Sequence, residues 1–215
     1  MDSAPGRSNA RPFSLLETMR LEEGEVPRLD RHVGRMAAAA QRFGFPWREQ
    51  DVRLAVMSTA RAHAHGCWRL RLLLAADGTP SVECTPHVLE TRGLWRVAFA
   101  EHAIPDAGDP FVLNKTTHRI VYETARGTRT DVDDVVLWNS RGEVTESTIG
   151  NIVVEIDGVR YTPPVASGLL GGTFRAEQLE TGTIRERVLT KADVSAASRL
   201  WLINSVREWM DAMLV

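Results

Sequence analysis

The chain has 215 residues, 43% of them apolar and 25% charged, which excludes a largely disordered protein and allows one large domain or two small ones sharing a core. A formal net charge of -2 supplies no field to recruit nucleic acid or an anionic membrane, and no apolar run approaches the ~18 residues needed to span a bilayer. Cys67 and Cys84 lack metal-ligand or redox spacing; they read as small buried residues kept reduced in a cytoplasmic setting.

Residues 1–12 are small and polar without an apolar core, so they read as a flexible tail and not as a signal peptide. Phe13 to Arg20 reads as a strand, followed by a Glu-Glu-Gly turn. Asp30 is placed to cap a helix that presents Val33, Met36, Ala37, Ala40 and Phe43 at helical spacing and stops at Gly44. Asp51 opens a second helix, running roughly to His65. Trp68 to Ala75 alternates basic and apolar residues, as a half-buried strand does, and forms a hairpin with Ser81 to Thr85. Val97 to Ala100 is a short strand, and the Pro-, Asp- and Gly-rich stretch that follows is the candidate linker.

In the second half, Asp109 to Asn114 reads as extended. Thr116 to Gly127 reads as a helix with Ile120, Val121 and Ala125 on one side. Strands are expected at 134–138, 143–147, 151–156 and 159–162, the last two joined at Asp157-Gly158. A helix is expected from Thr173 after Gly171-Gly172 and a short one at 193–197. A final strand follows at Leu200 to Ile203, then a terminal helix at Glu208 to Met213. Many hairpins and few crossovers predict an α+β chain in two subdomains, with a site where they meet, near residues 105–115.

Among the 26 basic residues only Lys115 and Lys191 are lysines; the rest are arginines. Arginine stays protonated at any working pH, whereas a desolvated lysine becomes a neutral amine nucleophile, so a lysine retained in such a chain is a candidate for chemistry. Lys115 sits at a strand-to-helix corner in this reading; a solvated lysine at a helix start is the structural alternative. Glu146 shares a strand face with Val144, and an inward carboxylate needs a cationic partner, either a protonated ring nitrogen or an arginine. Glycines leading into a helix at Thr173 and Phe174 free backbone N–H groups for a phosphate, although most such turns bind nothing. His32 and Arg35 lie one turn apart on the first helix, where Arg35 could grip a phosphate or both could line a solvated face. Asn204-Ser205-Val206-Arg207, between the last strand and the last predicted helix, is a position suited to a hydroxyl or N–H contact with an anion.

In order and spacing, LLETMR (15–20), LDRHVGRM (29–36), LNKTTHR (113–119), GEVTESTIGNIVV (142–154), YTPP (161–164), GLLGGTFRAEQL (168–179) and INSVREW (203–209) resemble one family. It is the fold-type IV enzymes of pyridoxal 5'-phosphate (PLP), the class IV aminotransferases, and the likeness runs from Phe13 to the end. It implies an α+β enzyme with two α/β subdomains and the cofactor at their interface: 13–104, a linker at 105–110, and a larger cofactor-binding subdomain at 111–215. Lys115 would form the internal aldimine and later move a proton at the substrate carbon, and Glu146 would keep the pyridine nitrogen protonated. Arg35, the N–H groups of Thr173 and Phe174, and the Ser205 hydroxyl would hold the phosphate, with Asn151 bracing the site. Within the family the segments resemble aminodeoxychorismate lyase, particularly the lyase-like domain fused to aminodeoxychorismate synthase component I. Thr18 stands where lyases carry a threonine proposed to assist proton transfer. That likeness implies conversion of 4-amino-4-deoxychorismate to 4-aminobenzoate and pyruvate in cytoplasmic folate biosynthesis, by a homodimer, with aminodeoxychorismate synthase as a partner. A D- or branched-chain amino acid aminotransferase is the second implied reading, and a non-catalytic partner domain the third. Arg20, His118 and Arg207 are the candidates for an amino-acid-like substrate's carboxylate. Glu208, where glycine is frequent in the family, would add negative charge at the mouth of the site.

Overall fold

The computed structural model describes residues 13–88, 93–104 and 108–215; the expected tail and part of the expected linker lie outside them. An N-terminal unit is built on three antiparallel strands in the order β1 (Leu15–Glu22), β2 (Cys67–Leu74) and β3 (Pro80–Pro86). Strand alternation sorts the side chains by face. Leu15, Met19 and Leu21 of β1 and Leu70, Leu72 and Leu74 of β2 are fully buried. They pack against Val33, Met36 and Ala40 of α1 (Leu29–Phe43) and Val52 and Val56 of α2 (Glu49–Ala62). Each such side chain contributes about 2 kcal/mol of apolar burial, which decides which face of the sheet the helices cover. The opposite face presents Leu16, Thr18, Arg69 and Arg71 to a cavity.

The C-terminal unit holds the remaining strands: β4 (Trp95–Phe99), β5 (Asp134–Trp138), β6 (Val144–Ser147), β7 (Asn151–Ile156), β8 (Val159–Thr162), β9 (Arg185–Glu186), β10 (Arg199–Asn204) and β11 (Glu208–Leu214). Their order is β10-β11-β4-β5-β6-β7-β8-β9, and β10 also pairs with β7. That extra pairing closes six of the strands into a ring and removes their edges. Val97, Val136, Val144, Ile152, Val154, Leu200, Leu202 and Met210 form one cluster. On β7 and β10 the intervening residues, Val153, Trp201 and Ile203, instead meet Phe174 of α5 (Thr173–Glu180). The short helices α3 (Pro110–Leu113), α4 (Ile120–Gly127) and α6 (Lys191–Ala196) complete the unit. No helix among the described residues is long and apolar enough to cross a membrane.

Several expectations are corrected. Helix α1 starts at Leu29, and its N-cap is Arg28 in a left-handed conformation (φ 62°), while Asp30 sits in the first turn. Asp109 to Asn114 is not extended: Asp109 accepts from the Phe111 N–H and Pro110 opens the single-turn α3, both helix-start devices. Residues 116–119 do not begin α4. Leu16 N–H bonds to Lys115 O, and Thr117 N–H to Ser14 O, so this segment is tied to β1 and helix starts only at Ile120. Ile120, expected on one side with Val121 and Ala125, is 60% exposed, while those two pack against the core. The terminal helix is a strand: β11 pairs antiparallel with β10 and parallel with β4, burying Met210 and Ala212 at a period of two. Cys67 and Cys84 are partly, not fully, buried. The boundary at 104 also shifts, since β4 hydrogen-bonds to β5 and β11 and so belongs to the second sheet.

Candidate active site

A cavity of about 420 Å³ opens where the two units meet. Leu16, Thr18, Arg69 and Arg71 line it from the first sheet and Arg35 from α1; Lys115, Arg119, Tyr122, Glu146, Asn151, Gly172 and Arg207 line it from the second unit. Thr18 pairs with Arg71 in the β1–β2 ladder, and the Arg71 guanidinium reaches Glu83 of β3 at 3.4 Å. The ties from Ser14 and Leu16 to the 115–117 segment hold Lys115 between the units. Lys115 is partly exposed, into the cavity that it lines. Desolvation, followed by the charge of Arg35, lowers its pKa to about 8.

Glu146 lies at the end of β6 with its side chain buried. Burial raises its pKa to about 7, against the opposing effect of two hydrogen bonds. Those bonds come from the Tyr122 hydroxyl at 2.8 Å and the Leu170 N–H at 3.1 Å, and both land on Oε1. One carboxylate oxygen is therefore held by protein, and Oε2 is left for a cationic partner in the cavity. Tyr122 is itself covered by the Arg119 guanidinium, 4.3 Å from its ring centroid, and Arg119 donates to Thr148 O.

Arg35 is anchored by Glu17, with Nε to Oε1 at 2.8 Å and Nη2 to Oε2 at 2.6 Å, while its Nη1 donates to Gly171 O at 2.9 Å. A guanidinium carries five N–H donors, more than these three bonds use. Glu17 is fully enclosed; burial raises its pKa, but Arg35 and His32 outweigh that and bring it down to about 2. Two glycines shape the wall. A Cβ on Gly172 would collide with Asn151 Oδ1, and one on Gly150 with the Ile203 carbonyl oxygen. Asn151 Nδ2 also donates to Leu170 O, so the glycine turn is pressed onto β7 just ahead of the α5 N-terminus.

Of the residues singled out in the sequence, Lys115, Thr18, Glu146, Arg35, Asn151 and Arg207 line this cavity. Thr173, Phe174 and Ser205 are not among the lining residues; they are buried, with Thr173 next to Gly172, Ser205 between Asn204 and Val206, and Phe174 packed on Ile203. Arg20 and His118 are not brought to it. Arg20 pairs with Glu22 and Glu208, and the His118 ring packs on Phe111 with centroids 4.3 Å apart. Glu208 is likewise not at the mouth; its carboxylate is shared by Arg20 and Arg28. The solvated-face alternative for His32 fails, since that ring has no exposed surface. Glu17, Arg28, Arg69, Arg71, Arg119 and Tyr122 also build the site, beyond the candidates that the sequence offers. Glu17 had a signal: it alternates with Leu15, Met19 and Leu21 on the core face of β1, and an inward carboxylate demands a partner. Arg69 and Arg71 had one too, in their alternation with core leucines.

Residues 14–213 match the profile of the amino-transferase class IV family. A Schizosaccharomyces pombe protein provisionally named an aminodeoxychorismate lyase is 31% identical over 215 residues, covering 94% of this chain and 90% of that protein. A Mesorhizobium loti crystal structure, provisionally named an amino-acid aminotransferase, is 35% identical with a TM-score of 0.87, covering 94% of this chain and 100% of that one. The 4-amino-4-deoxychorismate lyase of Pseudomonas aeruginosa shares the fold, at 18% identity and a TM-score of 0.79, covering 98% and 88% of the two chains.

Proposed function

This chain belongs to the amino-transferase class IV family of PLP enzymes, and from that premise we propose that it is a lyase releasing 4-aminobenzoate and pyruvate from 4-amino-4-deoxychorismate. The cavity's chemistry fits the cofactor. It offers a desolvated amine, a buried carboxylate with one oxygen to spare, a braced guanidinium, and a glycine turn that a Cβ would fill. Lys115 would hold the carbonyl end, Glu146 would face the ring nitrogen, and Arg35 with the Thr173 and Phe174 N–H groups and Ser205 would take the phosphate. Bound there, PLP supplies an electron sink for charge developed on the substrate carbon.

The protein's own part is proton handling and orientation. With a pKa of about 8, roughly a tenth of Lys115 is neutral at pH 7, enough to serve as a base at the substrate α-carbon. Thr18, which lines the cavity from β1, would assist that proton transfer. Leu16, Ile149 and Val206 add apolar surface to the cavity lining.

The observation that carries the lyase reading is the charge of the wall. Arg69, Arg71, Arg119 and Arg207 line the cavity in addition to Arg35 and Lys115, and Glu146 is the only carboxylate among the lining residues. Glu17 on Arg35 and Glu83 on Arg71 balance part of this charge, and a cofactor phosphate would balance more. The rest favours a substrate with two carboxylates, as 4-amino-4-deoxychorismate has, over a branched aliphatic side chain. The 35% identity to the Mesorhizobium loti protein favours a second reading, transamination, which would use the same cofactor residues.

Two assays separate these readings. Protein incubated with PLP is expected to turn yellow and Lys115→Ala to stay colourless. The wild type is expected to release fluorescent 4-aminobenzoate from aminodeoxychorismate, with Arg69→Ala and Arg71→Ala raising KM by at least about tenfold. Turnover only with an amino acid and 2-oxoglutarate would replace the lyase reading by the second one.

A further inference from the structure

His32 is fully buried on α1, and both ring nitrogens are engaged. Nδ1 lies 2.7 Å from Glu17 Oε2; Nε2 lies 2.7 Å from Ser205 Oγ and 3.2 Å from Thr173 Oγ1. The charged groups around the ring are Glu17 of β1, Arg35 of the same helix and Arg28 at its cap; Ser205 comes from the β10–β11 turn and Thr173 from the start of α5. These contacts determine where each hydrogen sits. Glu17, held ionised by Arg35 and His32, has no hydrogen to give, so Nδ1 is the donor. Desolvation lowers the His32 pKa, so the ring is neutral and Nε2 presents a lone pair.

Ser205 Oγ already accepts from Arg28 Nε at 3.2 Å, and its single hydrogen goes to His32 Nε2. Thr173, at the longer distance, is the weaker competitor for that lone pair. In this state Ser205 shows an arriving anion a lone pair, not a hydrogen. It becomes a donor to the anion only when Nε2 acquires a hydrogen of its own. Ser205 sits between Asn204 and Val206, and Thr173 follows Gly172; those three neighbours line the cavity, so both buried residues adjoin its wall.

We infer that His32, backed by Glu17, is a positioning residue whose uptake of one proton from solvent turns the Ser205 hydroxyl toward a phosphate group, so that binding a phosphorylated ligand in this cavity is coupled to protonation. This rests on the cofactor reading above. The incoming dianion supplies the charge that makes the imidazolium favourable, and Glu17 supplies the rest.

Calorimetric titration of the apoprotein with pyridoxine 5'-phosphate, which keeps ring and phosphate but has no aldehyde to react with Lys115, provides the test. Measured at pH 8 in buffers of different ionisation enthalpy, it counts the protons taken up on binding. The wild type is expected to take up more than His32→Gln, and His32→Gln to bind about tenfold more weakly. Ser205→Ala, which removes the acceptor but not the histidine, is expected to lose the same excess. Unphosphorylated pyridoxine is expected to show no difference among the three proteins. Equal proton uptake in wild type and both variants would overturn the role of His32 while leaving the cofactor site intact. No binding of pyridoxine 5'-phosphate, together with no colour from PLP, would remove both.

Discussion

At Lys115, burial works against stability and for reactivity. The folded-state pKa of about 8 lies below the ordinary 10.5, so the ammonium form is disfavoured by folding. The sign follows directly: the unfolded chain binds the proton more tightly, the apoprotein bears a cost at neutral pH, and stability rises as pH climbs from about 8 toward 10.5. Lys115→Met keeps the volume and removes the charge. It is expected to stabilise the apoprotein by on the order of 1–3 kcal/mol at pH 7, read as a higher Tm, while abolishing PLP colour. A lower Tm would mean that the amine is held by favourable partners and is not desolvated. This separates a reactive lysine from a structural one, a distinction that its rarity in an arginine-rich chain could only suggest.

The elements show where local patterns were readable and where contacts overrode them. Alternation in β2 and helical spacing in α1 were legible because burial on one face imposes a period, whereas β7, buried on both faces, was marked by its Asp157-Gly158 turn. β11 was misread because Glu, Met, Ala and Leu favour helices, yet two neighbouring strands claim its backbone. The helix expected from Thr116 was shortened by bonds to Ser14 and Leu16, about 100 residues earlier in the chain. Glycines gain meaning only in such pairings. Gly150 sits in the β6–β7 turn against the Ile203 carbonyl of β10, with no room for a methyl group. Gly150→Ala is expected to push β10 outward, cost about 1–3 kcal/mol by urea unfolding, and weaken PLP binding because Asn204 ends that strand and Ser205 follows in the turn. An unchanged urea midpoint with unchanged affinity would show that the turn has slack.

Across the whole molecule, the site is also the joint. Arg28 of the first unit bonds to Ser205 Oγ, Ser205 O, Glu177 and Glu208 of the second, and it stacks over Phe174 at 5.0 Å. Arg28 and Glu208 both hold left-handed backbones without being glycine, a strain that persists where surroundings over-determine a residue. Glu17 contributes to the same joint through Arg35 and His32. Its folded pKa, about 2, lies below the ordinary 4.5, so its stabilisation is complete above pH 4.5 and is lost as pH falls toward 2. Acid titration is expected to remove about 3 kcal/mol through this window, and Glu17→Gln to flatten that part of the profile. A Glu17→Gln profile parallel to wild type would show that other carboxylates control acid unfolding.

Read alone, the sequence determined the chemistry on offer: the isolated Lys115, the inward Glu146, the glycine turn at 171–172 and the alternating strand at 68–75. Motif order and spacing carried those, because each is written in consecutive residues. Only the tertiary structure decided which charges meet. It enclosed Glu17 and His32, drew Arg69 and Arg71 into the cavity wall, and turned Arg20, His118 and Glu208 away to partners of their own. The physical reason is that an ion's role depends on what desolvates it and what pairs with it. Those neighbours come from strands and turns that are far apart along the chain.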